Sequence, residues 1–155
     1  MYTLASSFEI PGITPQQAVH WWLSMDNETY TRWHHDHHAW QWQCSGKDKA
    51  ESGDVVRFHE TIDRFDLKIK AKLSKLDPSG FLKFDVIGAP ASFSFRYEEK
   101  DAGTLVTYEA AMGFKSFPGR LLDMFIKKMY PPDEYGPAIT GHVKEEHQLI
   151  KHQVS

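Results

Sequence analysis

The sequence predicts an α+β fold in which a curved antiparallel sheet wraps around a long C-terminal helix. Segments that alternate apolar and polar residues recur through the first two thirds of the chain, and turn residues separate them at short intervals. The last part of the chain instead shows a helical period. No internal repeat or low-complexity linker interrupts the 155 residues. We therefore expect one domain spanning residues 1–155.

Strands are predicted wherever the alternation has period two: at 2–10, 40–44, 55–62, 65–73, 81–87, 92–99 and 104–114. The turns between them contain Gly, Pro, Asp or Asn, as in Asp77-Pro78-Ser79-Gly80. Strands connected by such short turns pair in antiparallel fashion. One curved sheet can therefore accommodate all of them.

Helices are predicted at 16–25, 27–33, 118–129 and from 135 or 138 to 153. Thr14, followed by Pro15 and Gln17, is typical of a helix start. Pro131-Pro132 should separate the last two helices, because proline lacks the N–H that a helix interior needs.

The strand at 55–62 carries a carboxylate on its apolar face. Val56, Phe58, Glu60 and Ile62 share one side of this strand. The apolar phase changes at Phe65, so a tight turn or bulge is expected at positions 63–64. Glu60 is therefore predicted to point toward the core.

The last helix also places ionisable residues on its buried face. Ile139, His142, Val143, Glu146 and Ile150 follow the i, i+3, i+4, i+7 spacing of one helix face. Burying an unpaired carboxylate costs several kcal/mol, so Glu146 should be protonated, paired or bound to a cation. The neighbouring imidazole favours a metal ion, although a hydrogen-bonded core network or a wet cavity would also explain the pair.

A run of histidines could complete such a site. Positions 34, 35, 37 and 38 hold four of the nine histidines in the chain. His34 and His38 could reach one ion from a helix, whereas a loop could present any of the four. The run could equally be a solvated loop with no role.

Composition excludes several classes of function. A net charge of -3 and a pI near 6.3 leave no basic surface for nucleic acid, so none is expected as a partner. The single cysteine, Cys44, excludes an internal disulfide and a multi-cysteine zinc site. No apolar run is long enough to span a membrane and the start has no signal-peptide pattern, so we expect a cytoplasmic protein. The oligomeric state is left open.

The predicted order of strands and helices resembles the helix-grip fold of the START and Bet v 1-like superfamily over essentially the whole chain. The resemblance implies a deep apolar cavity between the sheet and the last helix, filled by a small hydrophobic or aromatic molecule. The expected lining comprises the inward aromatic residues Phe58, Phe93, Phe95 and Tyr97.

A closer resemblance, to the diacetylphloroglucinol hydrolase family, rests on three segments: His20-Trp21-Trp22, Tyr30-x-x-Trp33-His34-x-x-x-His38 and His142-x-x-x-Glu146. Members of that family are metal-dependent enzymes that cleave an acyl carbon–carbon bond of an acylated phenol. The resemblance implies that the metal ligands are His38, Glu60, His142 and Glu146. Zinc is the expected metal, with iron(II) or manganese(II) as alternatives for the same donors.

The same resemblance implies roles for further residues. Tyr30 should contact substrate and assist catalysis, and Gln41 stands where the family has a substrate-contacting asparagine. Tyr97 and Tyr108 are candidates for a second substrate-contacting tyrosine. Apart from the resemblance, we expect His34 to orient the histidine loop or the ligand side chains. His35 departs from the proline that the family has after Trp-His.

The expected chemistry is metal-assisted hydrolysis, in which Glu60 or Glu146 could also serve as base. Two other classes of function remain open. The chain could be a non-catalytic START-like protein that binds an aromatic or lipid-like molecule. It could also be a polyketide-cyclase-like enzyme that uses an acid and a base without metal.

Overall fold

The computed structural model describes residues 1–44, 47–114 and 119–154. Its elements are β1 (Tyr2–Pro11), α1 (Pro15–Leu23), α2 (Asn27–Trp33), β2 (His37–Gln43), β3 (Val55–Ile62), β4 (Phe65–Asp77), β5 (Phe81–Val86), β6 (Ala91–Lys100), β7 (Gly103–Met112), α3 (Gly119–Met129) and α4 (Pro132–Val154). The strands form one antiparallel sheet in the order β1-β7-β6-β5-β4-β3-β2. The predicted fold class is confirmed.

The two edges of the sheet are formed by strands that follow each other in sequence. β1 and β2 lie at opposite edges, and α1 and α2 connect them. The long helix α4 contacts both β1 and β3, so it lies across the inner face of the curved sheet. Ile139, Val143 and Ile150 of α4 are buried there, as the helical period predicts.

Local sequence explains where the elements begin and end. Thr14 caps α1, since its side chain accepts from the Gln17 N–H while the Gln17 side chain accepts from the Thr14 N–H. Asp63 joins β3 to β4 with a φ of 51°, in the left-handed region that aspartate tolerates in tight turns. This is the predicted turn.

Several boundaries differ from the predictions by a few residues, and two of them bear on the site. β2 begins at His37, three residues before the predicted start at 40. α4 begins at Pro132, because proline is well suited to the first helical turn, where its missing N–H would have no partner. The predicted start of the preceding helix at Pro118 lies outside the described residues.

The inward faces of β3 and β4 agree with the predicted alternation. Val56, Phe58 and Ile62 are buried on β3, and Phe65 and Leu67 are buried on β4. Glu60 therefore lies among apolar neighbours, beneath α4. None of the described helices is both long and apolar enough to cross a membrane.

Candidate metal centre

Four ionisable side chains from three elements converge between the sheet and α4. His37 comes from β2, Glu60 from β3, and His142 and Glu146 from α4. His37 Nε2 lies 3.3 Å from His142 Nε2, 3.1 Å from Glu146 Oε2 and 3.8 Å from Glu60 Oε2. His142 Nε2 lies 3.5 Å from each of the two carboxylate oxygens. We call these four residues the His/Glu cluster.

The spacing of the cluster fits a single metal ion. Zinc is usually held tetrahedrally at roughly 2.0–2.1 Å from nitrogen and oxygen, which puts neighbouring ligand atoms about 3.3–3.4 Å apart. The five separations given above range from 3.1 to 3.8 Å. Two imidazoles and two carboxylates also supply the donor types that zinc, iron(II) and manganese(II) accept.

The histidine that β2 contributes to the cluster is His37. The prediction that His38 is a metal ligand is therefore corrected. His38 is exposed on the outer face of the sheet, where its Nε2 lies 2.8 Å from the Thr61 hydroxyl. The cause is a bulge: Ala39 pairs with His59, but the next pair joins His37, not His38, to Glu60. One extra residue in a strand reverses which side chain points inward, and strict period two cannot detect it.

The backbone of α2 orients the His37 ring. His37 Nδ1 lies 2.9 Å from the carbonyl oxygen of Tyr30, which can only accept, so Nδ1 carries the proton. Nε2 then faces the other members of the cluster and is the ring nitrogen that a metal ion could bind. The His37 ring also stacks on the Tyr30 ring, with centroids 3.9 Å apart and planes 3° from parallel. Such fixing of the remote nitrogen is usual for histidines that bind metals.

Tyr30 also reaches the cluster through its hydroxyl. The O–H donates to Glu60 Oε2 over 2.9 Å. Burial, reinforced by the charges of Glu60 and Glu146, raises the pKa of Tyr30 well above its ordinary value. The phenol is therefore a neutral donor at physiological pH. Tyr30 is the residue for which the resemblance predicted contact with substrate and a role in catalysis.

The charges within the cluster compensate one another in part when no cation is present. Burial lowers the pKa of His142, but the carboxylates of Glu146 and Glu60 outweigh it and raise that pKa to about 11. Burial likewise raises the pKa of Glu146, yet His142 and His37 together hold it well below its usual range. Without metal, His142 is thus a buried cation paired with carboxylates.

The Nδ1 side of the His142 ring, which faces away from the cluster, lies near a further acidic residue. His142 Nδ1 lies 3.6 Å from Asp36 Oδ2 and has no hydrogen-bond partner among the described residues. His34 packs against His142 with ring centroids 4.7 Å apart, and its Nδ1 accepts from the Asp36 N–H. His34 thus lies beside His142, one of the predicted ligands. Asp36 was not foreseen, since it has no periodic signal inside the histidine run.

The cluster opens onto a partly open chamber of about 100 Å³. Its wall is mostly apolar and includes five of the predicted substrate-contacting residues, namely Tyr30, Phe58, Phe93, Phe95 and Tyr108. Tyr30, Glu60, His142 and Glu146 supply the polar part of the same wall. The chamber can therefore hold a small apolar group directly against the cluster.

Two predicted substrate contacts lie elsewhere. Gln41 points to the outer face of the sheet, beside Arg57 and His59, because it is out of phase with the inward residues Trp40 and Trp42. Tyr97 is on the inner face but does not line the chamber. Neither residue is therefore placed to contact a ligand in the chamber.

Tyr97 instead belongs to a buried hydrogen-bond chain that joins α1, β6 and α4. The Trp22 indole N–H donates to the Tyr97 hydroxyl over 2.7 Å, and that hydroxyl lies 2.8 Å from His147 Nε2. His147 Nδ1 donates to the Val143 carbonyl. Burial lowers the pKa of His147, so the ring stays neutral. His147 was not among the residues predicted for the buried face of α4.

Comparisons with known proteins agree on the fold. No family model and no curated protein sequence matches this chain. Among solved structures, the KanY protein is 10% identical, with 99% of this chain and 97% of that chain covered and a TM-score of 0.69. Ginseng major latex-like protein 151 from Panax ginseng is 15% identical, with 91% and 96% covered and a TM-score of 0.59.

A third similar structure is the di-domain ARO/CYC BexL from the BE-7585A biosynthetic pathway. It is 9% identical, and 99% of this chain matches 50% of BexL with a TM-score of 0.65. Ara h 8.0201 is also similar, at 11% identity and a TM-score of 0.59. The chain therefore has the Bet v 1-like helix-grip fold, which is common to proteins of several functions.

Proposed function

We propose that the chain binds one divalent metal ion through His37, Glu60, His142 and Glu146 and hydrolyses a carbon–carbon bond of an acylated phenol or a related β-dicarbonyl. The main support is the buried His/Glu cluster at the wall of an apolar chamber. The motif resemblance to diacetylphloroglucinol hydrolases supplies the reaction class. Zinc is the first choice, with iron(II) or manganese(II) as alternatives.

The proposed reaction balances as a simple hydrolysis. The hydroxyl of a water molecule adds to the acyl carbonyl carbon, the bond from that carbon to the ring breaks, and the ring carbon takes up a proton. The products are a short carboxylic acid and the deacylated phenol. A divalent ion at such a site would polarise the carbonyl and lower the pKa of water toward about 7.

The residues of this chain have separate tasks in that scheme. Tyr30 is a neutral donor held at Glu60, so it can orient a phenolic or carbonyl oxygen that enters the chamber. Glu60 can accept the proton of the attacking water, since its side chain keeps some contact with the chamber. The aromatic wall excludes bulk water and packs against a ring.

An assay of acid release tests the proposal. Metal-loaded protein should release carboxylic acid from at least one member of a panel of acylphloroglucinols, acylphenols and β-diketones. Glu60→Gln should abolish the release, whereas Glu98→Gln, an exposed residue at the far end of β6, should retain it. Binding of several panel members without turnover of any would reject the hydrolase.

A second candidate is a metal-free protein of the same fold that either carries a small apolar molecule or acts as a cyclase. The hydrogen bonds of the cluster favour it, because protonated His142 already offsets part of the charge of the two carboxylates without a cation. The similarity to the di-domain ARO/CYC BexL is in keeping with it. In that case ligand binding should persist, unchanged, after complete removal of metal by a chelator.

A further inference from the structure

The chamber beside the His/Glu cluster is too small for a complete acylated phenol. Its volume is about 100 Å³. An apolar cavity of about 150 Å³ holds a single benzene molecule, and small-molecule pockets usually measure roughly 300–1,000 Å³. A ligand with a ring and an acyl group must therefore extend beyond the chamber.

A larger apolar groove adjoins the chamber. It measures about 570 Å³ and lies between β4, the turn that joins β5 to β6, and α3. The residues that line both spaces are Leu67, Ile69, Val86, Ala91, Met112 and Tyr135. The groove and the chamber are therefore neighbouring spaces that share part of their walls. One of the shared lining residues, Met112, is unbranched and can change shape easily.

The open end of this groove exposes apolar side chains. Ile87 of the turn is 46% exposed and Met129 of α3 is 61% exposed, while Ile126 of α3 is half-buried along the wall. Exposed large apolar residues grouped at one groove are typical of a binding site. An apolar chain lying in the groove would remove these side chains from water.

We propose that this groove, which we call the chain subsite, binds a linear apolar chain of the ligand, while the phenolic hydroxyl or the carbonyl at its other end reaches into the chamber beside Glu60 and His142. The ligand class is thus a phenol or β-dicarbonyl that bears an alkyl or acyl chain, rather than a compact acetyl compound. This inference rests on the proposed function for the identity of the polar end. The chain subsite itself requires neither turnover nor metal.

A series of 4-alkylphenols from ethyl to octyl tests the chain subsite, because these compounds have no acyl bond to cleave. Binding to the full chain can be followed by the fluorescence of Trp22 and Trp40, which line the chamber. Each added methylene should tighten binding roughly fourfold until the chain fills the groove. Equal dissociation constants across the series would overturn the proposal.

Two neighbouring residues of α3 provide matched variants. Ile126→Glu places a charge on the groove wall and should remove the dependence on chain length, with little change for 4-ethylphenol. Phe125→Glu puts the same charge on an exposed residue that does not line the groove and should keep the wild-type dependence. Met129→Glu is a second lining variant at an exposed position, in case Ile126→Glu does not fold. A lining variant that keeps the slope, or a control that loses it, contradicts the chain subsite.

The outcomes separate this inference from the proposed hydrolysis. If chain length governs binding but no acyl compound is hydrolysed, the hydrolase is rejected and the chain subsite stands. If acyl compounds are hydrolysed at rates and affinities that do not depend on chain length, the hydrolase stands and the chain subsite is rejected.

Discussion

The two ring nitrogens of His37 have different partners, and this decides which of them could bind a metal. Nδ1 donates to the Tyr30 carbonyl, so Nε2, which faces Glu146 and His142, is the nitrogen left for a metal ion. His38, the next residue, has no comparable orientation and lies at the surface. Position within a bulge, rather than residue type, separates the two histidines.

Tyr30→Phe tests the hydroxyl that reaches Glu60. The change keeps the ring that stacks on His37 and removes only the hydrogen bond to the carboxylate. Losing one such bond should cost about 1–3 kcal/mol in transition-state stabilisation, or roughly five- to 150-fold in kcat/KM. Steady-state kinetics would measure the loss, and the variant should keep the metal content of the wild type. Loss of the metal instead would show that Tyr30 holds the ligands rather than the substrate.

The charge on His142 predicts how metal affinity depends on pH. Its pKa of about 11 in the metal-free fold means that a cation must displace a proton to bind. The affinity for zinc should therefore rise by up to about tenfold per pH unit between pH 6 and 9. Titration calorimetry in two buffers of different ionisation enthalpy would detect the released proton. Identical binding heats in both buffers would contradict a protonated His142.

The same group makes the stability of the metal-free fold depend on pH. Because its pKa is raised from 6.5, ionised His142 stabilises the fold fully below pH 6.5 and loses this effect as the pH rises toward 11. Glu146, whose pKa is lowered, stabilises the fold above pH 4.5 and loses the effect in more acidic solution. The contribution of this pair should thus be greatest between pH 4.5 and 6.5, as measured by denaturant unfolding after metal removal.

At the scale of elements, the hydrogen-bond chain through Tyr97 holds α1 and α4 against β6. Tyr97→Phe would leave the Trp22 N–H and His147 Nε2 without their buried partner. The free energy of unfolding should fall by about 1–3 kcal/mol. Tyr108→Phe is a matched control on the neighbouring strand, because the Tyr108 hydroxyl makes no hydrogen bond with the described residues. Equal losses for the two variants in urea unfolding would remove this role for Tyr97.

Sequence periodicity predicted the elements well and the bulge not at all. The alternation of apolar residues found the inward position of Glu60, and the helical period found His142 and Glu146. Counting from Trp40 with the same period points to His38. The extra residue in β2 makes this count wrong, and it arises from pairing with β3, which the sequence of β2 alone does not reveal. The substrate contact predicted for Gln41 is wrong for a related reason. Its position was taken from the family motif, and the alternation of side chains along β2 was not considered.

At the scale of the whole molecule, element order was enough to predict the helix-grip architecture. A strand, two short helices and six further strands leave one natural place for a long amphipathic helix, across the inner face of the sheet. The volumes of the chamber and the groove could not be predicted this way. They depend on how side chains from β4, β6, β7 and α4 pack together, which no local pattern encodes.

A metal ion bound by residues of three elements would also stabilise the whole fold. A metal held by His37, Glu60 and α4 would bind only the folded chain. Zinc at about 100 times its dissociation constant should therefore stabilise the fold by about 2.7 kcal/mol. Thermal unfolding with and without zinc would measure this, and an unchanged midpoint would count against a site built from β2, β3 and α4.

Metal content in two adjacent histidine variants tests the central claim most directly. Protein produced without an affinity tag and dialysed against zinc should contain one ion per chain by elemental mass spectrometry. His37→Ala should lose that ion, whereas His38→Ala should retain it, since His38 lies on the outer face of the sheet. Retention of zinc by His37→Ala, or its loss from His38→Ala alone, would contradict the cluster as the metal site.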